Sequence, residues 1–314
     1  MQASNTSPDE TFRKTCLAAE KGDAAAQVEL AMMYLTGEGV AQDENQAISW
    51  FRKAAEQGNA AGQYGLGTSC FTGTGLAQDD GQAFHWYRKA AEQGHCSAQN
   101  NLGGMYRDGR GVAVDPEQAI HWLRKAADQG NANAQNSLAT IYSIGRGVAR
   151  DDKKAAHWFR KAAALGLAVS QHNLGMMYLT GEGVAQNDKE AFRWLSEAAD
   201  QGVAESRYKI ARMSWMGKGT ARNRAQAFIL LNKAAEQGYP QAQFDLAVMY
   251  ANGEGTSCDE AQAFRWFRKA AEQGLAEAQF EVGMMLKRGE GVACDPVKAG
   301  YWLRKAAEQG FNPK

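Results

Sequence analysis

Nine glycines recur every 36 residues: Gly22, Gly58, Gly94, Gly130, Gly166, Gly202, Gly238, Gly274 and Gly310. The last eight each close a copy of one nonapeptide. It reads WFRKAAEQG from Trp50, WYRKAAEQG from Trp86, WLRKAADQG from Trp122, WFRKAAALG from Trp158 and WLSEAADQG from Trp194. LLNKAAEQG from Leu230, WFRKAAEQG from Trp266 and WLRKAAEQG from Trp302 complete the series, with no insertion or deletion between copies. A fixed period in this range marks a solenoid, because a single repeat cannot bury its apolar face and stacked neighbours cover it. The 314 residues could otherwise suggest two globular domains, but a repeat array simply grows by adding members. Eight full repeats result: 23–58, 59–94, 95–130, 131–166, 167–202, 203–238, 239–274 and 275–310. Residues 1–22 read as a tail and a capping helix, and 311–314 as a tail.

Each repeat predicts two helices. The first spans about repeat positions 2 to 14, as in Ala24 to Thr36. Its core stripe is small at position 4, aliphatic at 8, and Met or Tyr at 11 and 12, the spacing of one helix face. Position 9 is always Ala or Gly, so something packs closely there. Glycine at position 15 ends the helix in a left-handed conformation, and glycine at 17 lets the chain reverse. Asp or Asn at position 21 (Asp43, Asp79, Asp115, Asp151, Asn187, Asn223, Asp259, Asp295) caps the second helix. Pro116 and Pro296 occupy its first turn, where a missing N–H costs nothing. That helix is expected to bury positions 25, 28, 29, 32 and 33, including Trp50, Phe51, Ala54 and Ala55. Ahead of the first full repeat, Ser7-Pro8-Asp9-Glu10 reads as a capping box. The helix it opens carries Lys14 where most repeats have Trp, which suits a polar N-terminal cap.

These residues carry a family resemblance. The pattern A-x-A-Q-x-x-L-G-x-x-Y-x-x-G-x-G-V, then A-x-x-W-[YF]-R-K-A-A-E-Q-G, resembles the Sel-like repeat (SLR), a relative of the tetratricopeptide repeat. In the fifth repeat it stands as Ala168-Val169-Ser170-Gln171, Leu174-Gly175, Tyr178, Gly181-Glu182-Gly183-Val184, Ala191 and Trp194. The resemblance covers residues 7–310. It implies an all-α, right-handed α/α superhelical solenoid of antiparallel helix pairs, with first helices on the concave face. It also implies an adaptor that holds partner proteins, in roles that include toxin immunity and envelope assembly.

Charge and cysteine usage narrow the partners. The chain balances 35 basic against 35 acidic residues, so it lacks the global field that nucleic acid or an anionic membrane would select. No apolar run approaches the roughly 20 residues of a membrane span. The start, MQASNTSPDE, has neither region of a signal peptide, so a cytoplasmic location is expected of the chain as given. An upstream signal would make it an exported scaffold. Cys16, Cys70, Cys96, Cys258 and Cys294 are an odd, unclustered set. Only the last two share a repeat position, and adjacent repeats lie about one helix diameter, roughly 10 Å, apart. Disulfides need Cα atoms within about 7 Å, so reduced thiols are expected.

Features that resemble chemistry have simpler readings. Gly217-Lys218-Gly219-Thr220 looks like the end of a phosphate loop, but Arg212 stands where the first glycine belongs and no strand precedes it. His85, His121 and His157 share one position in consecutive repeats. Zinc needs imidazole nitrogens about 2.0–2.1 Å from one ion, which rungs a helix diameter apart cannot supply. No Ser-His-Asp, Cys-His or paired-carboxylate arrangement has positional support. The reading is a protein without enzymatic activity, metal or cofactor. An enzyme or small-ligand binder would need a deep pocket with clustered titratable groups.

Eight internal copies separate fold from function: fixed positions serve the repeat, and varied ones are free. The varied stripe of the first helix is 6, 10 and 13, opposite the core. Its candidates for partner contact are Asn100, Arg107, Asn136, His172, Met176, Tyr208, Arg212, Trp215, Phe244, Phe280 and Met284. Asn100 and Asn136 offer a donor and an acceptor each, suited to the backbone of an extended peptide. Repeat six departs most, with Arg207, Ser214 and Leu230 replacing the usual Gln, Tyr and Trp. It gains Trp215 and Met216, and gathers Arg207, Lys209, Arg212, Lys218, Arg222 and Arg224. An aromatic amid basic side chains on an open groove is the composition of a hot spot for an acidic protein or peptide. The competing reading makes Trp215 a replacement for core volume lost at Ser214 and Leu230. Only FNPK follows the last repeat, so Tyr301, Trp302 and Leu303 are expected to stay partly uncovered and could support self-association.

Overall fold

The structure, a computed structural model, describes residues 8–311. The tail at 1–6, the Ser7 end of the capping box and residues 312–314 lie outside the described residues. Seventeen α-helices of thirteen residues, and no strand, occur among the described residues. They are α1 (Pro8–Glu20), α2 (Ala24–Thr36), α3 (Glu44–Glu56), α4 (Ala60–Thr72), α5 (Asp80–Glu92), α6 (Cys96–Asp108), α7 (Pro116–Asp128), α8 (Ala132–Ile144) and α9 (Asp152–Ala164). The series continues with α10 (Ala168–Thr180), α11 (Asp188–Asp200), α12 (Ala204–Met216), α13 (Arg224–Glu236), α14 (Pro240–Asn252), α15 (Glu260–Glu272), α16 (Ala276–Arg288) and α17 (Pro296–Glu308). The fold is a solenoid of helix pairs.

Two compact units emerge, residues 1–162 and 163–314. In the first, α1 covers α2 through Ala19, Ala26 and Leu30, with Phe12 and Tyr34 edge to face at 5.9 Å. Further along, Ala31, Phe51 and Leu66 form one core, and Tyr87, Leu102, Met105 and Trp122 another. In the second unit, Leu195, Ile210 and Met213 pack together, then Leu231, Leu246 and Met249, then Phe267, Val282 and Met285. Positions 4, 8, 9 and 11 of the first helix are buried in every repeat.

The turns follow their residues. Each first helix of the eight repeats ends on a glycine in the left-handed region, Gly37 at φ +76° for example. Position 17 has a second reason to be glycine. A Cβ on Gly111, Gly219 or Gly291 would sit 2.1 Å from the carbonyl oxygen of Asp80, Asp188 or Glu260 in the preceding repeat. The predicted caps of the second helix form, Asp43 accepting from the Gln46 N–H at 3.0 Å and Asp151 from Lys154 at 2.9 Å.

A glutamine ladder ties each repeat to the one before. Gln27, Gln63, Gln99, Gln135, Gln171, Gln243 and Gln279 are buried, and each Nε2 donates to an alanine carbonyl eight residues earlier at 3.0–3.4 Å. Their Oε1 atoms accept from Gln57, Gln93, Gln129, Gln201, Gln273 and Gln309 at 2.7–2.9 Å. Repeat four has Leu165 at that second position, and Gln135 Oε1 is buried without a partner. In repeat six Arg207 takes the glutamine's place, donating to the Ala199 carbonyl at 2.7 Å and to Gln237 Oε1.

One expectation about the second helix needs correction. Trp50 is half-buried rather than core, as are Trp86, Trp266 and Trp302. Their outer faces are covered by the lysine three residues on for the first three, with Lys53 Nζ 3.7 Å from the Trp50 ring centre and Lys269 4.0 Å from Trp266. These are cation–π contacts, and buried Trp122 and Trp158 make them too. The five cysteines are free, Cys258 and Cys294 exposed. At the last repeat Tyr301 is 47% exposed, with Trp302 and Leu303 half-buried.

Candidate partner-binding surface

The stripe at positions 6, 10 and 13 is not uniformly free. Tyr208, expected on an open wall, is buried, its ring 5.2 Å from that of Tyr239. Its hydroxyl accepts from Arg212 Nη1 at 3.4 Å, and the Asp245 carboxylate lies near enough to act on it. Burial, with the Asp245 charge beside it, pushes the phenol up to about 12. Burial also raises the Asp245 carboxyl, against the pull of Tyr208 and Arg212. Tyr208 therefore joins repeats six and seven internally and positions Arg212 rather than meeting a partner.

His172 is also largely enclosed. Its Nδ1 lies 2.8 Å from Ser206 Oγ and its Nε2 lies 3.6 Å from Glu205 Oε2. The structure thus assembles a Ser–His–Glu set that the sequence reading missed. The signal was there in the register, since residues 33 and 34 positions apart face each other in adjacent repeats. Ser206 is fully buried, so no substrate atom reaches its oxygen, and the set is structural. Burial holds the imidazole below its ordinary value, Glu205 opposing the shift and Lys209 adding to it.

Phe244 and Phe280 are half-buried, their rings 5.3 Å from Phe267 and 5.7 Å from Phe311. Met176 packs on the core around Leu195, and Met284 is half-buried. Asn136 is half-buried and its carbonyl accepts from the Thr140 hydroxyl at 2.9 Å. Asn100 and Arg107 border a separate cavity in the first unit, of about 220 Å³. His85, His121 and His157 are exposed, each edge-on to the tryptophan that follows it. Among the described residues no group of three or more His, Cys, Asp or Glu could hold a metal ion.

What remains open lies between α12, α13 and α14. There a cavity of about 380 Å³ is lined by Arg212, Trp215, Met216, Leu231, Asp245, Val248, Met249 and Glu254, among others. Trp215 is half-buried. One part packs on the core around Leu231 and Leu246, and another forms the cavity wall. Arg224 stacks over the indole at 4.9 Å, and Arg222 Nε donates to the Trp215 carbonyl at 3.1 Å. Arg212, Arg222 and Arg224 are exposed beside Trp215 and Lys218 is exposed in the loop after α12, whereas Arg207 is committed to the glutamine ladder.

The Sel1 repeat profile matches eight times, at residues 24–59, 60–95, 96–131, 132–167, 168–203, 204–239, 240–275 and 276–311. The chain belongs to the Sel1 repeat family. Sel1 repeat proteins are in general protein-interaction scaffolds. Among solved structures, this one is similar to c5321, a protective antigen of uropathogenic Escherichia coli with an SLR fold. Identity is 38% and the TM-score 0.89, over 96% of this chain and 64% of that one. The chain thus spans less than two thirds of that protein's length. It is also similar to a Sel1 repeat protein from Oxalobacter formigenes, at 34% identity over 99% and 92% of the two chains, TM-score 0.73. The immunity protein Pa5087 of Pseudomonas aeruginosa is 22% identical over 66% of this chain and 81% of its own, with a TM-score of 0.40, a likeness too partial to carry any argument about function. No curated protein matches. No helix is long and apolar enough to cross a membrane among the described residues.

Proposed function

We propose that this Sel1 repeat chain is a non-enzymatic scaffold that holds a partner protein on the α12–α14 wall. The cavity beside Trp215 carries the reading. Its walls are Ala211, Leu231, Val248 and Met249, its lip is a tryptophan, and Arg212 lines it together with Asp245 and Glu254, while Arg222 and Arg224 hold Trp215 from outside. An anchor side chain buried beside a fixed indole, with charges at the rim, is how a few residues dominate an interface. Three arginines at or beside Trp215 against the two carboxylates leave a small positive excess, which favours an acidic segment and speeds its encounter. Because Arg212 is held by Tyr208 and Trp215 by the core, little side-chain entropy is lost on docking.

The test is affinity capture from the source organism's lysate by the wild type and by a Trp215→Ala/Arg212→Glu variant, with melting curves confirming that both fold. One protein captured by the wild type and lost, by tenfold or more, with the variant supports the reading. Equal recovery by both removes the site from this wall, and capture of no specific protein sinks the scaffold reading.

A further inference from the structure

The cavity in the first unit contains a glycine that the fold does not require. Gly104 sits in the middle of α6 with an ordinary helical backbone, and a Cβ built on it would meet nothing within 4 Å. Its neighbour Gly103 is the opposite case, since a Cβ there would lie 2.7 Å from Leu123 Cγ. Other repeats place Met32, Thr68, Thr140, Met176, Arg212, Val248 and Met284 at the position of Gly104. Neither turn geometry nor packing explains the glycine. Close approach of another backbone does, because a bare helix surface is what such an approach needs.

The surroundings state the chemistry of that visitor. Arg107 forks onto Asp108 at 2.9 and 2.7 Å, and Arg110 forks onto Asp80 at 3.0 and 2.7 Å. Arg110 also lies flat on Phe71, 3.8 Å from the ring centre, and Arg146 reaches the Arg107 carbonyl at 3.1 Å and Asp108 at 3.6 Å. Three guanidiniums therefore share two carboxylates, which leaves a positive excess at the cavity. Each fork uses Nε and Nη2 and leaves Nη1 over for a further acceptor. Asn100 donates to Asn101 Oδ1 at 3.1 Å, and Asn100 and Ser137 line the same space. About 220 Å³ is below the roughly 300–1,000 Å³ of small-molecule pockets, and suits a side chain with its stretch of backbone.

We propose that this cavity is a second docking site, for an extended acidic peptide segment of a partner. Its backbone runs over Gly104 beside Asn100 and Ser137, and its carboxylate meets Arg107 and Arg110. Pinning both guanidiniums before binding removes most of the ordering cost of using them. The proposal is independent of the Trp215 wall.

A displayed library of random linear twelve-residue peptides, selected on the full chain, tests it. Selected peptides are then titrated by fluorescence anisotropy against wild type, Gly104→Met, Gly104→Ala, Arg107→Gln and Trp215→Ala. Methionine is native at this position in repeats one, five and eight, so Gly104→Met should fold and melt no lower than wild type. The expected result is a set of Asp- and Glu-rich peptides that bind wild type and Trp215→Ala equally. They should bind at least tenfold more weakly to Gly104→Met, and lose salt dependence with Arg107→Gln. Absence of any peptide that depends on Gly104, or selection of Gly104-dependent peptides without acidic residues, overturns the proposal. Displacement of the peptides by millimolar inorganic phosphate at low salt would reassign the site to a free anion and overturn it too.

Discussion

At the scale of single residues, Gly103 and Gly104 show how little a residue's identity says without its neighbours. Position 9 is Gly where position 29 is Leu in repeats three, five and eight, and Ala where it is Phe in repeats one, four and seven, while repeat six keeps Ala211 with Leu231 and repeat two Gly67 with Tyr87. A leucine carries its Cγ into the space a Cβ would take, 2.7 Å away in each of those three pairs. Gly103→Ala should therefore cost about 1–3 kcal/mol by overpacking. Gly104→Ala should gain about 0.5–1 kcal/mol by removing a helix-interior glycine. The double change Gly103→Ala/Leu123→Phe, which imports the pairing of repeats one, four and seven, should recover most of the first loss. Urea unfolding of these proteins and of Leu123→Phe alone measures this, and simple additivity in the double variant would contradict the pairing. Position 9 was legible as a close contact from eight copies, whereas its link to position 29 needed the geometry. Nor could Tyr208 be told from a surface tyrosine by spacing, because its burial depends on Tyr239 and Asp245 in the following repeat.

At the scale of helices, the two units start their first helices differently. Asp23, Asn59, His95 and Asn131 cap α2, α4, α6 and α8 with side-chain acceptors, while Leu167, Val203, Tyr239 and Leu275 at the same position provide none. Tyr239 and Leu275 pack instead on the cores beside them, so apolar burial stands in for a bond of about 1 kcal/mol. His95 is the unusual cap, accepting the Ala98 N–H at 3.2 Å through Nδ1 while stacked on Tyr64 at 4.6 Å. Only neutral imidazole can accept there. Burial lowers its protonation range below the ordinary 6.5, so the folded chain holds fewer protons than the unfolded one as pH falls. The cap's contribution is complete above about pH 6.5 and is lost as pH drops through the folded value. His95→Asn, the cap of repeats two and four, should flatten the fall in melting temperature between pH 7 and pH 5. An unchanged slope would remove His95 as the cause.

At the scale of the whole chain, the 36-residue period announced the fold, because glycine turns, caps and core stripes all repeat in one register. The partner surface was only half legible. Repeat six stood out by losing its Gln, Tyr and Trp, yet Arg207 turned out to be a rung of the ladder and Asp245 and Glu254 of the next repeat complete the cavity. Variation flagged where to look, but only packing could say which varied residues were spent on seams. Those seams have a further meaning. The ladder's amide addresses carbonyl oxygens of the preceding repeat, as does the glycine at position 17 in repeats three, six and eight. A joint that reads main chain is blind to the identity of its neighbour. Whole repeats can then be duplicated or exchanged by recombination with this part of the junction intact, and only side-chain seams such as Tyr208 with Tyr239 or Arg110 with Asp80 need refitting.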